Sequence, residues 1–280
     1  MTTSTEQIPL IPLRGGVEIP QLGFGVFQIP PADTADITTR ALLAGYRHID
    51  TAAAYGNEAE VGQAVHAAGL QRDDVFVTTK CFNDHHGYEQ ATRALKESLG
   101  RLEMEHVDLY LIHWPVPATD LYVETWQAFI DLQKAGLARA IGVSNFQPAH
   151  LERIIRETGV TPAVNQVELH PHFQQAGLRH EHEELDIVTE AWSPLAQGRV
   201  LKEPVLVELG KAHGKTPGQV VLRWHLQLGN VVFPKTATPE RIEENLDVFD
   251  FHLSADEMAA IADLDTGERG GPDPDTFIRP

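Results

Sequence analysis

The chain has 280 residues, of which 42% are hydrophobic and 22% are charged, and its formal net charge at pH 7 is −18. This composition is typical of a globular protein with a large core and excludes disorder as the main state. The negative charge argues against nucleic acid or an anionic membrane as the principal partner. One cysteine, Cys81, allows no internal disulfide and no thiolate zinc site, and no stretch has the length and hydrophobicity of a membrane span. We therefore expect a soluble, cytoplasmic protein.

The chain begins with a predicted hairpin and continues with a repeating pattern. Two apolar runs between Ile8 and Ile19 flank Arg14-Gly15-Gly16, and paired glycines supply the positive φ angles that a tight turn needs. From residue 22 onward, a short β-branched run followed by an amphipathic helical stretch occurs eight times. The runs are Leu22–Val26, Tyr46–Asp50, Val75–Lys80, Val107–His113, Ala138–Asn145, Ala163–Glu168, Asp186–Ser193 and Val231–Lys235.

Helical periodicity is clear in several of the intervening stretches. Examples are Glu58–Ala68, Glu89–Leu102, Val123–Ala135, Pro148–Glu157 and Pro217–Leu228, and Glu203–Lys211 and Ala255–Asp263 are predicted as extra helices. Eight strand–helix units in about 250 residues predict an α/β fold of the closed (β/α)₈ barrel type. An open doubly wound sheet shows the same alternation, but Gln28 stands where its third fingerprint glycine belongs. We predict a single domain over residues 1–280, with residues 1–21 as an N-terminal cap and 265–280 as a tail near the substrate site.

Polar side chains stand at the ends of the predicted strands. The second run ends in Asp50, with Tyr55 shortly after it, the third ends in Lys80 and the fourth in His113. Strand ends in a barrel converge on one mouth, so these four side chains can meet there. An ammonium group near a tyrosine favours the phenolate and lowers its pKa, while the carboxylate pairs the buried lysine. This is acid–base chemistry suited to a carbonyl substrate, with the electrons supplied by another group.

Five motifs carry a resemblance to a known family. They are Tyr46-Arg47-His48-Ile49-Asp50-Thr51-Ala52 continuing to Tyr55-Gly56-Asn57-Glu58, Leu109-Tyr110-Leu111-Ile112-His113-Trp114-Pro115, Ile141-Gly142-Val143-Ser144-Asn145-Phe146, Asn165-Gln166-Val167-Glu168-Leu169-His170-Pro171 and Phe233-Pro234-Lys235-Thr236. In this order and spacing, the chain from about residue 13 to 264 resembles the aldo-keto reductases and is similar to the bacterial diketogluconate reductases. The resemblance implies NADPH-dependent reduction of aldehydes or ketones to alcohols, with diketogluconate or a small dicarbonyl such as methylglyoxal as substrate.

The resemblance also implies roles for individual residues. The catalytic set falls on Asp50, Tyr55, Lys80 and His113, with Tyr55 as the general acid. Cofactor contacts fall on Ser144, Asn145, Gln166 and Trp192 at the nicotinamide, on Ser193 and Leu195 at the pyrophosphate, and on Lys235, Thr236, Arg241, Glu244 and Asn245 at the adenosine end. We expect Phe27, Phe82 and Trp114 to line the substrate pocket. The family also suggests a monomer.

Two other readings of the site remain open. Some members of the family keep the cofactor site but serve as regulatory modules with little turnover. A metal-dependent barrel lyase or isomerase would need a ligand cluster, and the sequence offers none. His180 and His182 are two residues apart, whereas ligands on one helical face need a spacing of three or four. We interpret that stretch as solvated and expect no metal site.

Overall fold

The computed structural model describes residues 8–278 and contains, within that range, eight parallel strands in one sheet. They are β3 (Phe24–Gly25), β4 (His48–Asp50), β5 (Phe76–Cys81), β6 (Val107–Ile112), β7 (Ala138–Ser144), β8 (Val164–Glu168), β9 (Val188–Trp192) and β10 (Val231–Val232). Neighbours in the sheet follow chain order, and a parallel bridge between Leu22 and Val232 joins its two ends. The predicted (β/α)₈ barrel is confirmed, and the open sheet is excluded.

Helices surround the barrel. They are α1 (Pro31–Ala44), α2 (Glu58–Ala67), α3 (Tyr88–Leu102), α4 (Tyr122–Lys134), α5 (Pro148–Thr158), α6 (Ala176–Glu184), α7 (Pro204–His213), α8 (Pro217–Gln227), α9 (Pro239–Glu244) and α10 (Ala255–Ala262). Their ends follow local sequence signals: at α8, Thr216 and Gln219 bond reciprocally in a capping box ahead of Pro217. No helix within residues 8–278 combines the length and the apolar character needed to cross a membrane.

The predicted hairpin covers one end of the barrel. Strands β1 (Leu10–Pro12) and β2 (Glu18–Pro20) pair antiparallel around Gly15 and Gly16, both of which have positive φ. Leu13, Val17 and Ile19 are buried in one cluster with side chains from the barrel interior, namely Phe76, Leu109, Leu111, Ala140, Val164 and Val231. Apolar packing therefore fills this end, while the carboxyl ends of the strands form the other mouth. Residues 1–7 of the predicted cap and 279–280 of the predicted tail lie outside the described residues.

Candidate active site

Three neighbouring strands deliver the four expected catalytic side chains to the mouth of the barrel. Asp50 is the last residue of β4, and Tyr55 follows it in a single 3₁₀ turn. Lys80 is the penultimate residue of β5, and His113 comes directly after β6. Because β4, β5 and β6 pair in parallel, their carboxyl ends lie at the same edge. The structure thus brings together the four residues that the strand ends predicted.

Lys80 is the centre of this group. It is 0% exposed, and its Nζ donates to Asp50 Oδ1 at 2.7 Å, to the Thr51 carbonyl oxygen at 2.9 Å and to Tyr55 Oη at 3.4 Å. Three acceptors match the three hydrogens of an ammonium group. Burial alone lowers the pKa of Lys80, but the Asp50 carboxylate and the Tyr55 hydroxyl raise it above its ordinary value. The lysine is therefore charged, and its bond to Oη leaves the Tyr55 hydroxyl proton free for another acceptor.

The protonation of Tyr55 differs from the expectation. We expected Lys80 to bring the pKa of Tyr55 below its ordinary value. Lys80 does act in that direction, but burial raises the pKa of Tyr55 by more, and the Asp50 charge adds to the increase. Desolvation disfavours the phenolate more strongly than one ammonium, already paired with a carboxylate, can favour it. Tyr55 is therefore protonated at neutral pH, the state that a proton donor requires.

His113 is neutral and lies beside Tyr55. The two rings meet edge to face, with centroids 5.9 Å apart. Burial, followed by the charges of Lys80 and His86, holds the pKa of His113 well below its usual range. Its Nδ1 is buried and has no hydrogen-bond partner within residues 8–278. Nε2 is consequently the nitrogen available to donate a hydrogen bond to a substrate oxygen.

Aromatic rings surround these two side chains. Phe27 packs on Tyr55 with centroids 4.9 Å apart, and Phe82 packs on His113 at 5.5 Å. Trp114 lies next to His113 and also contacts Phe277 of the tail, at 4.4 Å. Phe27 is 49% exposed, which is unusual for a phenylalanine and leaves its ring at the entrance. Phe277 was not predicted, because sequence alone gave no conformation for the tail.

The expected nicotinamide residues form one hydrogen-bonded cluster on or directly after β7, β8 and β9, the strands that follow β6 around the sheet. Asn145 Nδ2 donates to the His113 carbonyl oxygen at 2.9 Å and to Ser144 Oγ at 3.0 Å. Ser144 Oγ donates to the backbone carbonyl oxygen of Gln166 at 2.8 Å, and Trp192 Nε1 donates to Asn145 Oδ1 at 2.9 Å. The Ser144, Asn145 and Trp192 side chains are therefore fixed relative to one another and to the backbone of His113 and Gln166.

The expected adenosine-end residues lie together around β10 and α9. Lys235 and Arg241 are exposed, whereas Thr236 is buried and its Oγ1 accepts the Thr238 N–H at 3.0 Å. Asn245 is buried directly after α9. The Glu244 carboxylate accepts a bond at 2.7 Å from Thr216, the residue that caps α8. Helix α9 begins at Pro239 and has only six residues. The expected pyrophosphate residues, Ser193 and Leu195, lie in the loop between β9 and the 3₁₀ segment Ala196–Lys202.

Two buried acids near the mouth received no role from the sequence, although Glu168 stands in one of the five motifs. Glu190 of β9 accepts a bond from Gln166 Nε2 at 2.8 Å, and the same nitrogen donates to Asp50 Oδ2 at 2.9 Å. Glu168 of β8 accepts the N–H groups of Gly270 and Gly271 at 2.7 and 2.9 Å and thereby anchors the tail. A signal for Glu190 was present, because it precedes Trp192 by two residues and alternation places both on one face of the strand.

One histidine also differs from its interpretation. His182, predicted in a solvated stretch, is 0% exposed and bonds to Asn165 and Thr189, each at 2.9 Å. Helix α6 turns this residue toward β8 and β9, whereas His180 stays exposed. No group of three or more His, Cys, Asp or Glu side chains within residues 8–278 could hold a metal ion.

Comparisons with known proteins agree on one family. Residues 21–266 match the model of the aldo/keto reductase family. An aldo-keto reductase of Mycolicibacterium smegmatis is 54% identical over 96% of this chain and 98% of its own, and the methylglyoxal reductase DkgA of Escherichia coli is 52% identical over the same shares. A structure of a Gox0644 mutant in complex with NADPH superposes with a TM-score of 0.94 at 47% identity, covering 98% of this chain and 100% of the other. The chain therefore belongs to the aldo/keto reductase family.

Proposed function

We propose that the protein reduces the carbonyl group of a small aldehyde or ketone, with NADPH as the hydride donor and Tyr55 as the proton donor. Membership of the aldo/keto reductase family makes the chain an oxidoreductase that uses NADP(H). The observation that carries the assignment of Tyr55 is the hydrogen bonding of Lys80, whose ammonium touches both Tyr55 Oη and Asp50 Oδ1. This contact holds a protonated tyrosine beside a charge that stabilises its conjugate base.

The polar groups at the mouth fit a nicotinamide cofactor. Both N–H groups of the Gln166 amide are engaged by carboxyl groups, so its oxygen is the atom left to accept a bond from a carboxamide. Trp192 offers an aromatic face beside this cluster, and Lys235 and Arg241 are exposed cations suited to the 2′-phosphate. When bound, NADPH supplies the hydride.

The chain's own residues would then handle the proton and the substrate oxygen. Neutral His113, through Nε2, would donate a hydrogen bond that orients the carbonyl oxygen. Tyr55 would transfer its hydroxyl proton to that oxygen as negative charge develops there. Lys80, 3.4 Å from Oη, would stabilise the resulting phenolate, and Asp50 would keep Lys80 protonated and in place. Phe27, Phe82 and Trp114 would exclude water from the reacting groups.

We propose dicarbonyls as the substrate class, with methylglyoxal and diketogluconate as first candidates. The E. coli relative named a methylglyoxal reductase supports the former. The aromatic rings bordering Tyr55 and His113 suit a compact substrate. NADPH oxidation measured across methylglyoxal, sugar ketones, aromatic aldehydes and quinones would rank these classes. Wild-type protein that binds NADPH but turns over none of them would support the regulatory-module alternative instead.

The assignment of Tyr55 is tested by Tyr55→Phe, which removes the hydroxyl and keeps the ring that packs on Phe27. General acid catalysis contributes typically 10²–10⁴-fold, so we expect a loss of kcat in that range with NADPH affinity within about twofold of wild type. Tyr88→Phe is the matched control, because it removes a tyrosine hydroxyl that bonds to Asp131 of α4 and leaves the proton donor in place. A Tyr55→Phe enzyme with kcat within about threefold of wild type would show that another group donates the proton.

We also propose that the protein acts as a monomer in the cytoplasm, without nucleic acid as a partner. The large apolar side chains exposed within residues 8–278 are scattered rather than continuous in sequence, namely Leu10, Phe27, Leu43 and Ile278. The net charge of −18 opposes binding to a polyanion. Light scattering after size-exclusion chromatography would test the monomer directly.

A further inference from the structure

Glu190 is a buried acid to which the proposed reaction assigns no task. It lies within β9, 0% exposed, and pairs in register with Gln166 of β8. Its Oε2 accepts the 2.8 Å bond from Gln166, while its Oε1 is buried and has no hydrogen-bond partner in the described part of the chain. Buried polar atoms are nearly always satisfied, so an acid retained in this condition requires an explanation.

The charges around Glu190 indicate that it is protonated. The titratable groups facing it are Asp50 from β4 and Lys80 from β5. The one positive charge, on Lys80, is already paired with Asp50 at 2.7 Å. A second carboxylate would give this enclosed group a net negative charge, which is costly away from water. Burial and the nearby Asp50 carboxylate accordingly raise the pKa of Glu190 to about 8.

A neutral Glu190 still accepts a hydrogen bond, and this bond restricts Gln166. The amide nitrogen of Gln166 carries two hydrogens, one donated to Asp50 Oδ2 at 2.9 Å and the other to Glu190 Oε2 at 2.8 Å. With both hydrogens engaged, the amide cannot exchange the positions of its nitrogen and oxygen without losing both bonds. Asp50 alone would hold only one hydrogen and would leave the other to find a new acceptor.

We propose that Glu190 is a positioning residue that locks the Gln166 amide, so that the amide oxygen alone is presented to the carboxamide of the nicotinamide ring. The inference rests on the proposed function, because it takes Gln166 as a carboxamide contact. Because Glu190 is 0% exposed, it would itself touch neither cofactor nor substrate. It acts through the second N–H of Gln166, and it selects a cofactor ring that carries an N–H donor.

The test compares two cofactors that differ in that donor. In the 3-acetylpyridine analogue of NADP⁺ a methyl ketone replaces the carboxamide, so the ring keeps its carbonyl and loses its N–H₂. Isothermal titration of wild type should show NADP⁺ binding roughly three- to tenfold tighter than the analogue, as expected for one neutral hydrogen bond. Glu190→Gln keeps a neutral acceptor of the same shape and should retain this ratio. Glu190→Met has a side chain of similar length to glutamate but no carboxyl oxygen. Its preference for NADP⁺ over the analogue should fall below about twofold.

A control separates failure of this inference from failure of the cofactor site. 2′,5′-ADP lacks the nicotinamide and should bind all variants with equal affinity; if it does not bind wild type, the proposed adenosine site is wrong. The inference is overturned if folded Glu190→Met keeps the wild-type ratio of affinities for NADP⁺ and the 3-acetylpyridine analogue. It is also overturned if Glu190→Gln loses that ratio. If circular dichroism shows that Glu190→Met does not fold, Glu190→Thr, whose side chain is too short to reach Gln166, replaces it under the same criteria.

Discussion

The difference in stability between wild type and Glu190→Gln should depend on pH in a way that reports the buried proton of Glu190 directly. In the unfolded chain a glutamate ionises near pH 4.3, whereas burial and the Asp50 charge raise the pKa of Glu190 in the folded protein to about 8. Between these values the folded state holds one more proton than the unfolded state. The contribution of Glu190 to folding is therefore greatest below about pH 4, and it is lost as pH rises toward 8. Glutamine cannot ionise, so the stability of Glu190→Gln does not fall with pH for this reason.

The size of this stability difference follows from the gap between the unfolded and folded pKa values of Glu190. Each pH unit within it changes the free energy of unfolding by about 1.4 kcal/mol for one proton. From pH 5.5 to 7.5 wild type should therefore lose about 2–3 kcal/mol relative to Glu190→Gln. Urea denaturation followed by tryptophan fluorescence at several pH values measures the difference, because contributions common to both proteins cancel.

Glu58→Gln provides the matched control. Glu58 is also buried, at 1% exposed, but it pairs with Arg101 at 2.7 Å and accepts the Thr79 hydroxyl. The Glu58 carboxyl group thus has a cationic partner of its own, which Glu190 lacks. Replacement of Glu58 should lower stability by an amount that stays constant with pH. If the Glu190→Gln difference is equally constant, Glu190 ionises normally, and our account of the enclosed charges is wrong.

Two further predictions concern the proton donor and the cofactor. Lys80→Met should shift the pH profile of alcohol oxidation, which requires ionised Tyr55, to higher pH. The reason is that the ammonium 3.4 Å from Oη no longer favours the phenolate. An unchanged profile, measured where chemistry limits the rate, would show that Lys80 does not tune the pKa of Tyr55. Arg241→Ala should weaken NADPH binding roughly ten- to hundredfold, and less at high ionic strength, while NADH affinity stays nearly constant, since only the 2′-phosphate distinguishes the two. Equal weakening of both cofactors, measured by fluorescence titration, would place Arg241 away from that phosphate.

The sequence was sufficient to predict the fold because the relevant signals are local. Eight apolar runs separated by periodic helices correspond to strands β3 to β10, and the glycine pair at Gly15 and Gly16 marks the turn of the hairpin. The proximity of Asp50, Lys80 and His113 was predictable for the same reason. In a parallel barrel all strands end at the same mouth, so a residue at the carboxyl end of a strand lies at that mouth whatever the details of packing.

Only the tertiary structure decided the protonation and the bonding partners within that site. The net pKa of Tyr55 depends on how much water burial removes, and this outweighs the neighbouring charge of Lys80. The contact between Asp50 and Gln166 joins residues 116 positions apart, and it makes Glu190 part of the same group. His182 was predicted in a solvated stretch from its spacing to His180, yet it is buried against Asn165 of β8 and Thr189 of β9. Desolvation and contacts across the barrel depend on distances between elements, and no local pattern of residues specifies those distances.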